Sequence, residues 1–355
     1  MYVLIALLVI VSAAWAFLRR PARPSELHGA EPATPEPRTR FALIYNPSKP
    51  HDWPTILEHA AQAASAAGFD PPLSLETTTE DPGNGLAEQA LRSGASMVIA
   101  AGGDGTVRAI AQALAGTGTP LAILPLGTGN LFARNINLPI DDLDEAIAIA
   151  IGGADRPVDM GWLRDLDASP AFPEHPFLVV AGIGFDGDMV AETDDDLKAT
   201  IGWFAYCVGA VKGMLKPRTD VTVTIDGTPD AVTRTARTVM IANCGWLPAG
   251  VALQPDAEVD DGWLDLVTVD TRGGLIGWAS LGGKLLLRTF GFRRDATEIA
   301  STLEYHRGRS FTIRTNTASW AQVDGDLVSE TSAIAARIDA GALIVRVPRS
   351  DPLST

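Results

Sequence analysis

A glycine-rich run with one acid in it is the first place in this 355-residue chain where chemistry could occur. Gly102-Gly103-Asp104-Gly105-Thr106 directly follows the apolar run at 97–101 and directly precedes a helix-like stretch at 107–114. Such a strand, turn and helix start can bind phosphate, because glycines let the backbone approach an anion and helix-start N–H groups point at it. The carboxylate of Asp104 indicates a ligand that also carries a metal ion or hydroxyl groups. The alternative is a plain tight turn.

Two further polar segments follow predicted strands. Leu124-Pro125-Leu126-Gly127-Thr128-Gly129-Asn130 offers backbone and hydroxyl donors, and its Asn130 can cap the next helix. Asn46-Pro47 ends the first predicted strand and by itself is only a turn signal. Ligands of parallel sheets bind at the carboxyl ends of the strands, so the three segments predict the walls of one nucleotide cleft.

Two acidic turns lie later in the chain. Glu258-Val259-Asp260-Asp261-Gly262-Trp263-Leu264-Asp265 carries adjacent carboxylates before a glycine, which suits Mg²⁺ because this ion prefers oxygen ligands. A solvated β-turn is the competing interpretation. Val323-Asp324-Gly325-Asp326 is a candidate base and metal site, although Asp-Gly turns are also frequent in hairpins.

The elements that must position these residues change in character near Arg156. From Phe41 onward, strands alternate with helices predicted over 54–67, 86–93, 107–114 and 142–151, which indicates a doubly wound parallel sheet. After Arg156, period-two alternation predicts an antiparallel β-sandwich or barrel, interrupted by helical insertions at 199–215 and 275–290. The last strand, 342–347, could pack in either domain.

The N-terminus predicts a membrane anchor. Residues 2–18 are uncharged and almost wholly apolar, near the roughly 20 residues that a spanning helix needs. Arg19 and Arg20 follow, which predicts a single-pass protein of the cell membrane with a cytoplasmic catalytic domain. A signal peptide cleaved near Ala14-Trp15-Ala16 is the alternative, but the chain has no basic region before the apolar run. The Pro-rich residues 21–40 read as an extended tether.

Charge argues against nucleic acid as a partner, and cysteine content argues against disulfide and zinc sites. The net charge is −15 and the basic residues are scattered, which argues against nucleic acid. Cys207 and Cys244 have no metal-like spacing, so we expect neither a disulfide framework nor a zinc site, and a reducing compartment fits.

Together these motifs resemble the diacylglycerol kinase catalytic-domain family, the soluble bacterial diacylglycerol and lipid kinases related to sphingosine kinases. GGDGT at 102–106, PLGTGN at 125–130, Asn46-Pro47, the DDG segment and the late DGD turn carry the resemblance, which spans about residues 41–348. The runs at 181–186 and 243–257 also match. The organisation expected is an anchor at 1–20, a linker at 21–40, an α/β ATP-binding domain at 41–155, a β-sandwich lipid-binding domain at 156–335, and a C-terminal strand and tail at 336–355.

The resemblance also implies a role for each matching residue. The ATP contacts would be Asn46, Thr79, Gly102, Gly103, Asp104, Gly105, Thr106, Gly127 and Thr128. Glu258 and Trp263 would offer backbone oxygens, and Asp261 a carboxylate, to Mg²⁺. The catalytic residues would be Asp324, Asp326 and Asp104. The family usually has Glu where this chain has Asp326, which leaves open whether Asp324 or Asp326 is the base. The first loop lacks the family's glycine, and Lys49 could supply a phosphate contact instead.

The activity implied is transfer of the γ-phosphoryl group of ATP to a lipid hydroxyl, with diacylglycerol as the first candidate. A sphingoid base or phosphatidylglycerol is an alternative acceptor. NAD-kinase-like chemistry is a rival because GGDG also occurs there, although LPLGTGN speaks against it. A non-catalytic lipid- or nucleotide-binding scaffold is a second rival. The partners expected are ATP, Mg²⁺, a membrane lipid and the membrane itself, with a second copy of the chain as a further candidate.

Overall fold

The computed structural model describes residues 40–170, 172–185, 218–247, 251–252, 257–271 and 301–349. These residues form two units, which we name the α/β unit (residues 40–158 and 341–349) and the β unit (residues 159–340). The predicted anchor at 1–20, the linker up to residue 39 and both helical insertions lie outside the described residues, as do Asp186 and residues 253–256.

Strands and helices alternate through the α/β unit. In chain order the elements are β1 (Ala42–Tyr45), α1 (Trp53–Ala66), β2 (Leu73–Glu76), α2 (Asn84–Arg92), β3 (Val98–Gly102), α3 (Asp104–Leu114), β4 (Leu121–Pro125), α4 (Leu131–Asn135) and α5 (Leu143–Gly152). Helix α3 starts three residues earlier than the apolar period predicts, because the glycine-rich run itself forms its first turn. The short helix α4 is not predicted from the sequence.

The sheet of the α/β unit is parallel throughout. Its order is β2-β1-β3-β4, and β4 pairs in parallel with the end of β16 (Asp326–Val347) through Val345 and Leu121. Strand β2 pairs with one side of β1, and strand β3 pairs with the other side. The direction in which successive strands are added to the sheet therefore reverses between β1 and β3. In sheets of this type the ligand crevice lies outside the carboxyl ends of the strands at that reversal.

Local sequence explains where the helices of this unit begin and what they bury. Helix α1 starts at Asp52, whose side chain accepts a hydrogen bond from the Thr55 N–H, and a proline lies in its first turn. Helix α5 is capped by Asp142, which accepts from the Glu145 N–H and lies at the start of the helix predicted over 142–151. Both helices pack their apolar faces on the same side of the sheet, in a core that includes Phe41, Leu43, Trp53, Ile56, Met97, Ile99, Leu124 and Ile147.

The β unit contains the remaining strands. In chain order they are β5 (Ala154–Asp165, which begins in the α/β unit), β6 (His175–Phe177), β7 (Val180–Phe185), β8 (Thr219–Ile225), β9 (Val232–Ala236), β10 (Thr238–Ala242), β11 (Trp246–Leu247), β12 (Val251–Ala252), β13 (Leu264–Thr271), β14 (Ser301–Gly308), β15 (Ser310–Val323) and β16, whose last residues, from Gly341, belong to the α/β unit.

A long strand joins two sets of antiparallel strands in the β unit. Strand β15 pairs with β8 before an irregularity between Arg314 and Ser319, and with β7 after it. From β7 the sheet continues through β10, β13 and β14. One core joins both sets, with Phe177, Ile183, Val221, Val223, Ile241, Leu266, Phe311 and Ile313 buried in it. The predicted parallel α/β fold followed by a β-rich second part is therefore confirmed.

The predicted location in the cell membrane is corrected. In the part of the chain that the structure describes, no helix is long and apolar enough to cross a bilayer. The longest of these helices, α1, has 14 residues, whereas a span needs about 20 apolar ones.

Candidate active site

Three loops meet at the carboxyl edge of the parallel sheet, and we name them together the phosphate edge: residues 46–52, 102–106 and 126–130. The Asn46 N–H donates to the Ala101 carbonyl at 3.2 Å, and the Leu126 N–H donates to the Gly102 carbonyl at 3.0 Å. The His51 Nε2 lies 3.0 Å from the Leu126 carbonyl, which can only accept, so Nε2 carries the proton. The loops after β1 and β3 flank the strand-order reversal, and the loop after β4 lies beside the loop after β3.

The glycine-rich run forms the start of helix α3. The N-cap residue is Gly103 in an extended conformation, and it has no side chain to accept from the first-turn N–H groups. Thr106 is buried, and a Cβ on Gly102 would lie 2.9 Å from its Cβ, so the turn closes only with glycine at 102. An eleven-residue helix whose start presents backbone N–H groups and the positive end of its dipole suits an anionic ligand.

The first and second glycine loops are in backbone contact. A Cβ on Gly127 would lie 2.4 Å from the Gly103 Cα, and a Cβ on Gly103 would lie 3.3 Å from the Gly127 Cα. Both distances are shorter than ordinary contact. Glycine at these two positions therefore serves loop-to-loop packing, in addition to any approach by a phosphate group.

Asp104 binds the start of helix α4. Its Oδ1 accepts from the Leu131 N–H at 2.7 Å and lies 3.4 Å from the Phe132 N–H. The expectation that Asn130 caps this helix is wrong, because Asp104 performs that role from the neighbouring loop. A carboxylate at a helix start is favourable since it offsets the helix dipole. Asp104 thereby fixes the second loop against the first.

Asn130 holds the second loop closed from inside. It adopts a left-handed conformation with φ 49° and is buried. Its Oδ1 accepts from the Gly127 N–H at 2.9 Å, while its Nδ2 donates to the carbonyls of Pro125 and Gly127. The Arg134 Nε donates to the Gly129 carbonyl at 2.9 Å. Burial lowers the pKa of the Arg134 guanidinium, and nearby carboxylates, Asp104 among them, oppose that shift.

The other predicted nucleotide contacts lie around this edge with different exposure. The Oδ1 of Asn46 accepts from the backbone N–H and the hydroxyl of Ser48, which fixes the first loop. Thr128 is exposed at the tip of the second loop. Thr79 is exposed beyond the end of β2, two residues after the buried Thr77. Lys49 is half-buried in the first loop.

The two carboxylates of the late acidic turn have different environments in the β unit. Asp324 and Gly325 form a two-residue hairpin turn between β15 and β16, with φ of 46° and 95°. The Oδ2 of Asp324 accepts from the Leu178 N–H at 2.8 Å, and its Oδ1 accepts from the N–H groups of Val179 and Val180, each at 2.9 Å. Asp326, by contrast, is exposed. Asp324 thus secures a neighbouring chain segment, which the sequence does not reveal.

The predicted metal ligands lie in the turn before β13. The Asp261 Oδ1 accepts from the Trp263 N–H at 3.0 Å, and its Oδ2 accepts from Arg307 at 2.8 Å. Burial raises the pKa of the Asp261 carboxyl, the Trp263 N–H and Arg307 oppose the rise, and neighbouring Asp265 adds to it. Within the described ranges no three His, Cys, Asp or Glu side chains form a group that could hold a metal ion.

Sequence reasoning missed the residues that support this turn. The buried Asp159 accepts from the Gly262 N–H through Oδ2 at 2.6 Å, and its own N–H donates to the Val259 carbonyl at 2.7 Å. Arg307 bridges the carboxylates of Asp261 and Asp265. Nothing in the local pattern marks Asp159 or Arg307, because their partners are about 100 and 40 residues away in the chain.

Comparison with known proteins follows the division seen in the fold. Residues 40–163 match the family model described as diacylglycerol kinase catalytic domain. Residues 179–347 match the model described as YegS C-terminal NAD kinase beta sandwich-like domain. A Pseudomonas aeruginosa protein named "probable lipid kinase YegS-like" is 35% identical over 232 residues, which is 61% of this chain and 68% of that protein. The chain belongs to the diacylglycerol kinase catalytic-domain family.

Other relatives and one solved structure extend this comparison. A diacylglycerol kinase of Staphylococcus epidermidis is 28% identical over 294 residues, covering 81% of this chain and 86% of that protein. A Synechocystis protein of uncharacterized function is 29% identical over 69% of this chain, but the match spans only 53% of that protein. The crystal structure of a diacylglycerol kinase from Bacillus anthracis shares the fold, with a TM-score of 0.67, 22% identity and coverage of 90% of this chain and 98% of that one. The chain is therefore a phosphotransferase of the lipid kinase class.

Proposed function

We propose that the chain transfers the γ-phosphoryl group of ATP to the hydroxyl of diacylglycerol, which yields phosphatidic acid and ADP. The observation that carries the proposal is the start of α3 at the strand-order reversal, where the Gly103 N-cap and the close approach of Gly127 leave a backbone surface for phosphate groups. Family membership supports a lipid acceptor, and the name of the Staphylococcus epidermidis relative supports diacylglycerol.

The triphosphate of ATP is assigned to the phosphate edge of the α/β unit. Backbone N–H groups of residues 103–106 and Thr128 would face the phosphate oxygens. Gly127, whose N–H donates to Asn130, would contribute close backbone approach, with Asn46 in the adjoining loop and Thr79 toward the nucleoside. Asp104 is proposed as a positioning residue, because its carboxylate binds the start of α4 at 2.7 Å. Phosphoryl transfer depends on such positioning and on charge neutralisation more than on covalent chemistry by the protein.

The general base is assigned to Asp326. Its carboxylate is exposed, whereas both oxygens of Asp324 accept hydrogen bonds from backbone N–H groups. In the proposed step Asp326 takes the proton of the lipid hydroxyl as that oxygen bonds to the γ-phosphorus. The bond from the γ-phosphorus to the β–γ bridging oxygen breaks, and ADP leaves with the electron pair. Asp324 acts as a positioning residue for the turn that carries Asp326.

Mg²⁺ is the cofactor that we propose, and the donor chemistry of residues 258–263 fits it. The backbone carbonyls of Glu258 and Trp263 and the carboxylate of Asp261 are hard oxygen donors of the type that Mg²⁺ binds. The two neighbouring carboxylates of Asp261 and Asp265, which Arg307 bridges, support the proposal because they concentrate negative charge near this turn. Bound there, Mg²⁺ would supply charge that orders this turn.

The test is phosphorylation of defined acceptors by the purified full chain with γ-labelled ATP and Mg²⁺. Diacylglycerol, a sphingoid base, phosphatidylglycerol and NAD are offered separately, and products are identified by mass spectrometry. Labelled phosphatidic acid, lost in Asp326→Asn and retained in Asp326→Glu, supports the proposal. A labelled water-soluble product with NAD alone would refute it in favour of NAD-kinase-like chemistry. ATP binding without any product would refute it in favour of a scaffold.

A further inference from the structure

Two large apolar side chains are exposed among the described residues, and both belong to the loop between β5 and β6. Leu166 is 37% exposed and Phe172 is 63% exposed. A single exposed apolar side chain is ordinary in a folded protein. Two in one short loop, when the other large apolar side chains of the described regions are less exposed, indicate a surface that meets something apolar.

Hydrogen bonds hold the base of this loop in place. The Asp165 Oδ1 accepts from the N–H groups of Asp167 and Ala168, at 2.9 and 3.2 Å. The Asp167 Oδ2 accepts from the N–H and the hydroxyl of Ser332 on β16, both at 2.7 Å. The Leu166 N–H donates to the Ala333 carbonyl at 2.9 Å. A loop whose base is fixed in this way loses little conformational freedom on binding, so its apolar side chains are preorganised.

Aromatic and cationic side chains lie beside the apolar pair. Trp162 and Arg164 alternate along β5 and so share one face, and Leu166 follows directly after the end of the strand. The Arg337 guanidinium lies 5.4 Å from the centre of the Trp162 ring. Glu174 pairs with both arginines, at 2.7 Å to Arg337 and 3.5 Å to Arg164. Tryptophan and arginine beside exposed apolar groups are typical of surfaces that lie at the boundary between water and lipid.

We infer that this docking surface, formed by Trp162, Arg164, Leu166, Phe172 and Arg337, binds the lipid bilayer in which the acceptor lipid resides. Phe172 and Leu166 enter the head-group region, and the two arginines meet phosphodiester groups. The inference rests on the proposed function, since diacylglycerol has two acyl chains and stays in the membrane. The net charge of −15 opposes attraction to anionic membranes by bulk charge, so the apolar pair drives binding to a zwitterionic bilayer.

The first test measures the loop directly in the full chain. Hydrogen–deuterium exchange of peptides covering 166–174 is followed with and without phosphatidylcholine vesicles that contain diacylglycerol. We expect vesicles to slow exchange in these peptides for the wild type and for Phe172→Trp, and to have no effect on them in Phe172→Asp. Ala231→Asp, an equal change of charge in the exposed β8–β9 turn of the same unit, is the matched control and retains the protection.

The second test separates docking from catalysis. Phe172→Asp is expected to lower turnover of long-chain diacylglycerol in vesicles roughly ten-fold. The substitution places a charge where the docked protein would bury the Phe172 ring in the bilayer. Turnover of a water-soluble short-chain diacylglycerol stays unchanged. Equal turnover of vesicle substrate by Phe172→Asp and wild type, with equal exchange, overturns the docking inference. Phosphorylation of neither substrate by the wild type overturns the proposed function instead, while loop protection by vesicles would still support docking.

Discussion

The contact between Gly103 and Gly127 makes a sharp prediction for Gly127→Ala. The added methyl carbon would lie 2.4 Å from the Gly103 Cα, 2.8 Å from the Asn130 Oδ1 and 3.3 Å from the Gly103 N. Ordinary contact begins near 3.4 Å, so the two loops have to separate by about 1 Å. The atoms in the way are backbone atoms and a buried amide, none of which can rotate aside.

The size of the effect follows from that displacement. Inserting a methyl group into a closed contact costs about 1–3 kcal/mol of stability. In a domain of this size that lowers Tm by roughly 2–4 °C for each kcal/mol. A misplacement of about 1 Å in a site that works by positioning can lower the rate about 100-fold. We therefore expect kcat/KM for ATP to fall by about two orders of magnitude in Gly127→Ala while most of the fold survives.

Two matched glycines make the test specific. A Cβ on Gly152, at the end of α5, meets nothing within 4 Å, so Gly152→Ala should leave kcat/KM unchanged and keep Tm at the wild-type value or slightly above it. A Cβ on Gly105 also meets nothing within 4 Å of protein, but Gly105 lies in the first turn of α3, where we propose that phosphate binds. Gly105→Ala should keep Tm and weaken ATP binding alone. Calorimetric unfolding and ATP titration measure both quantities. Wild-type Tm and ATP affinity in Gly127→Ala would refute the reasoning.

Three further predictions concern carboxylates. Asp326→Asn should lower kcat by about 10²–10⁴-fold with Tm unchanged. Asp324→Asn should instead lower stability by about 1–3 kcal/mol, because an amide NH₂ would face backbone N–H groups. Thermal unfolding and initial rates measure both effects, and loss of stability in Asp326→Asn with loss of kcat alone in Asp324→Asn would contradict the assignment. Asp104→Ala should lower stability by about 1 kcal/mol through lost capping of α4 and weaken ATP binding, whereas Asp104→Asn should retain part of both in the same titration. Burial acts to raise the pKa of Asp165, but hydrogen bonds from Ser329, Thr331 and backbone N–H groups hold this pKa below the ordinary 3.8. The ionised Asp165 carboxylate therefore stabilises the fold above pH 3.8, and this stabilisation is lost as the pH falls through the lowered pKa of the folded state. Denaturant unfolding should show Asp165→Asn less stable than wild type at pH 7 with a gap that narrows on acidification, and a gap constant with pH would contradict this.

The α/β half of the fold was predictable because its signals are local. The apolar runs of β1, β3 and β4 and the start signals of α1 and α5 each lie within a few residues. Alternation of strands and helices predicts a parallel sheet, although not the order of its strands. Because the carboxyl ends of parallel strands share one edge, the three loops of the phosphate edge could be placed on that edge from the sequence. The β unit was less predictable, since the 22-residue strand β16 pairs not only with its neighbour β15 but also with β5, which is far away in the chain.

The candidate site was predictable in its residues but not in their bonds. The motifs identify Asp104 and Asp324 as acids within glycine turns, which invites a catalytic role for both. Their hydrogen-bond partners lie 27 and about 145 residues away, at Leu131 and at Leu178–Val180. No local period or spacing encodes such contacts. The missed cap on α4 has the same cause, because the acid that supplies it comes from another loop.

The acid in the phosphate loop has an electrostatic explanation once the five described helix starts are compared. At four of them a backbone N–H donates a hydrogen bond to an aspartate carboxylate: Asp52 at α1, Asp81 at α2, Asp104 at α4 and Asp142 at α5. Helix α3 instead begins at Gly103, and its own first acid is directed to α4. The charge of Asp104 is thus offset by the start of α4, which reduces its repulsion of a phosphate group at α3. A carboxylate that would oppose an anion in an isolated loop can therefore order the neighbouring loop and keep the start of α3 suited to ATP.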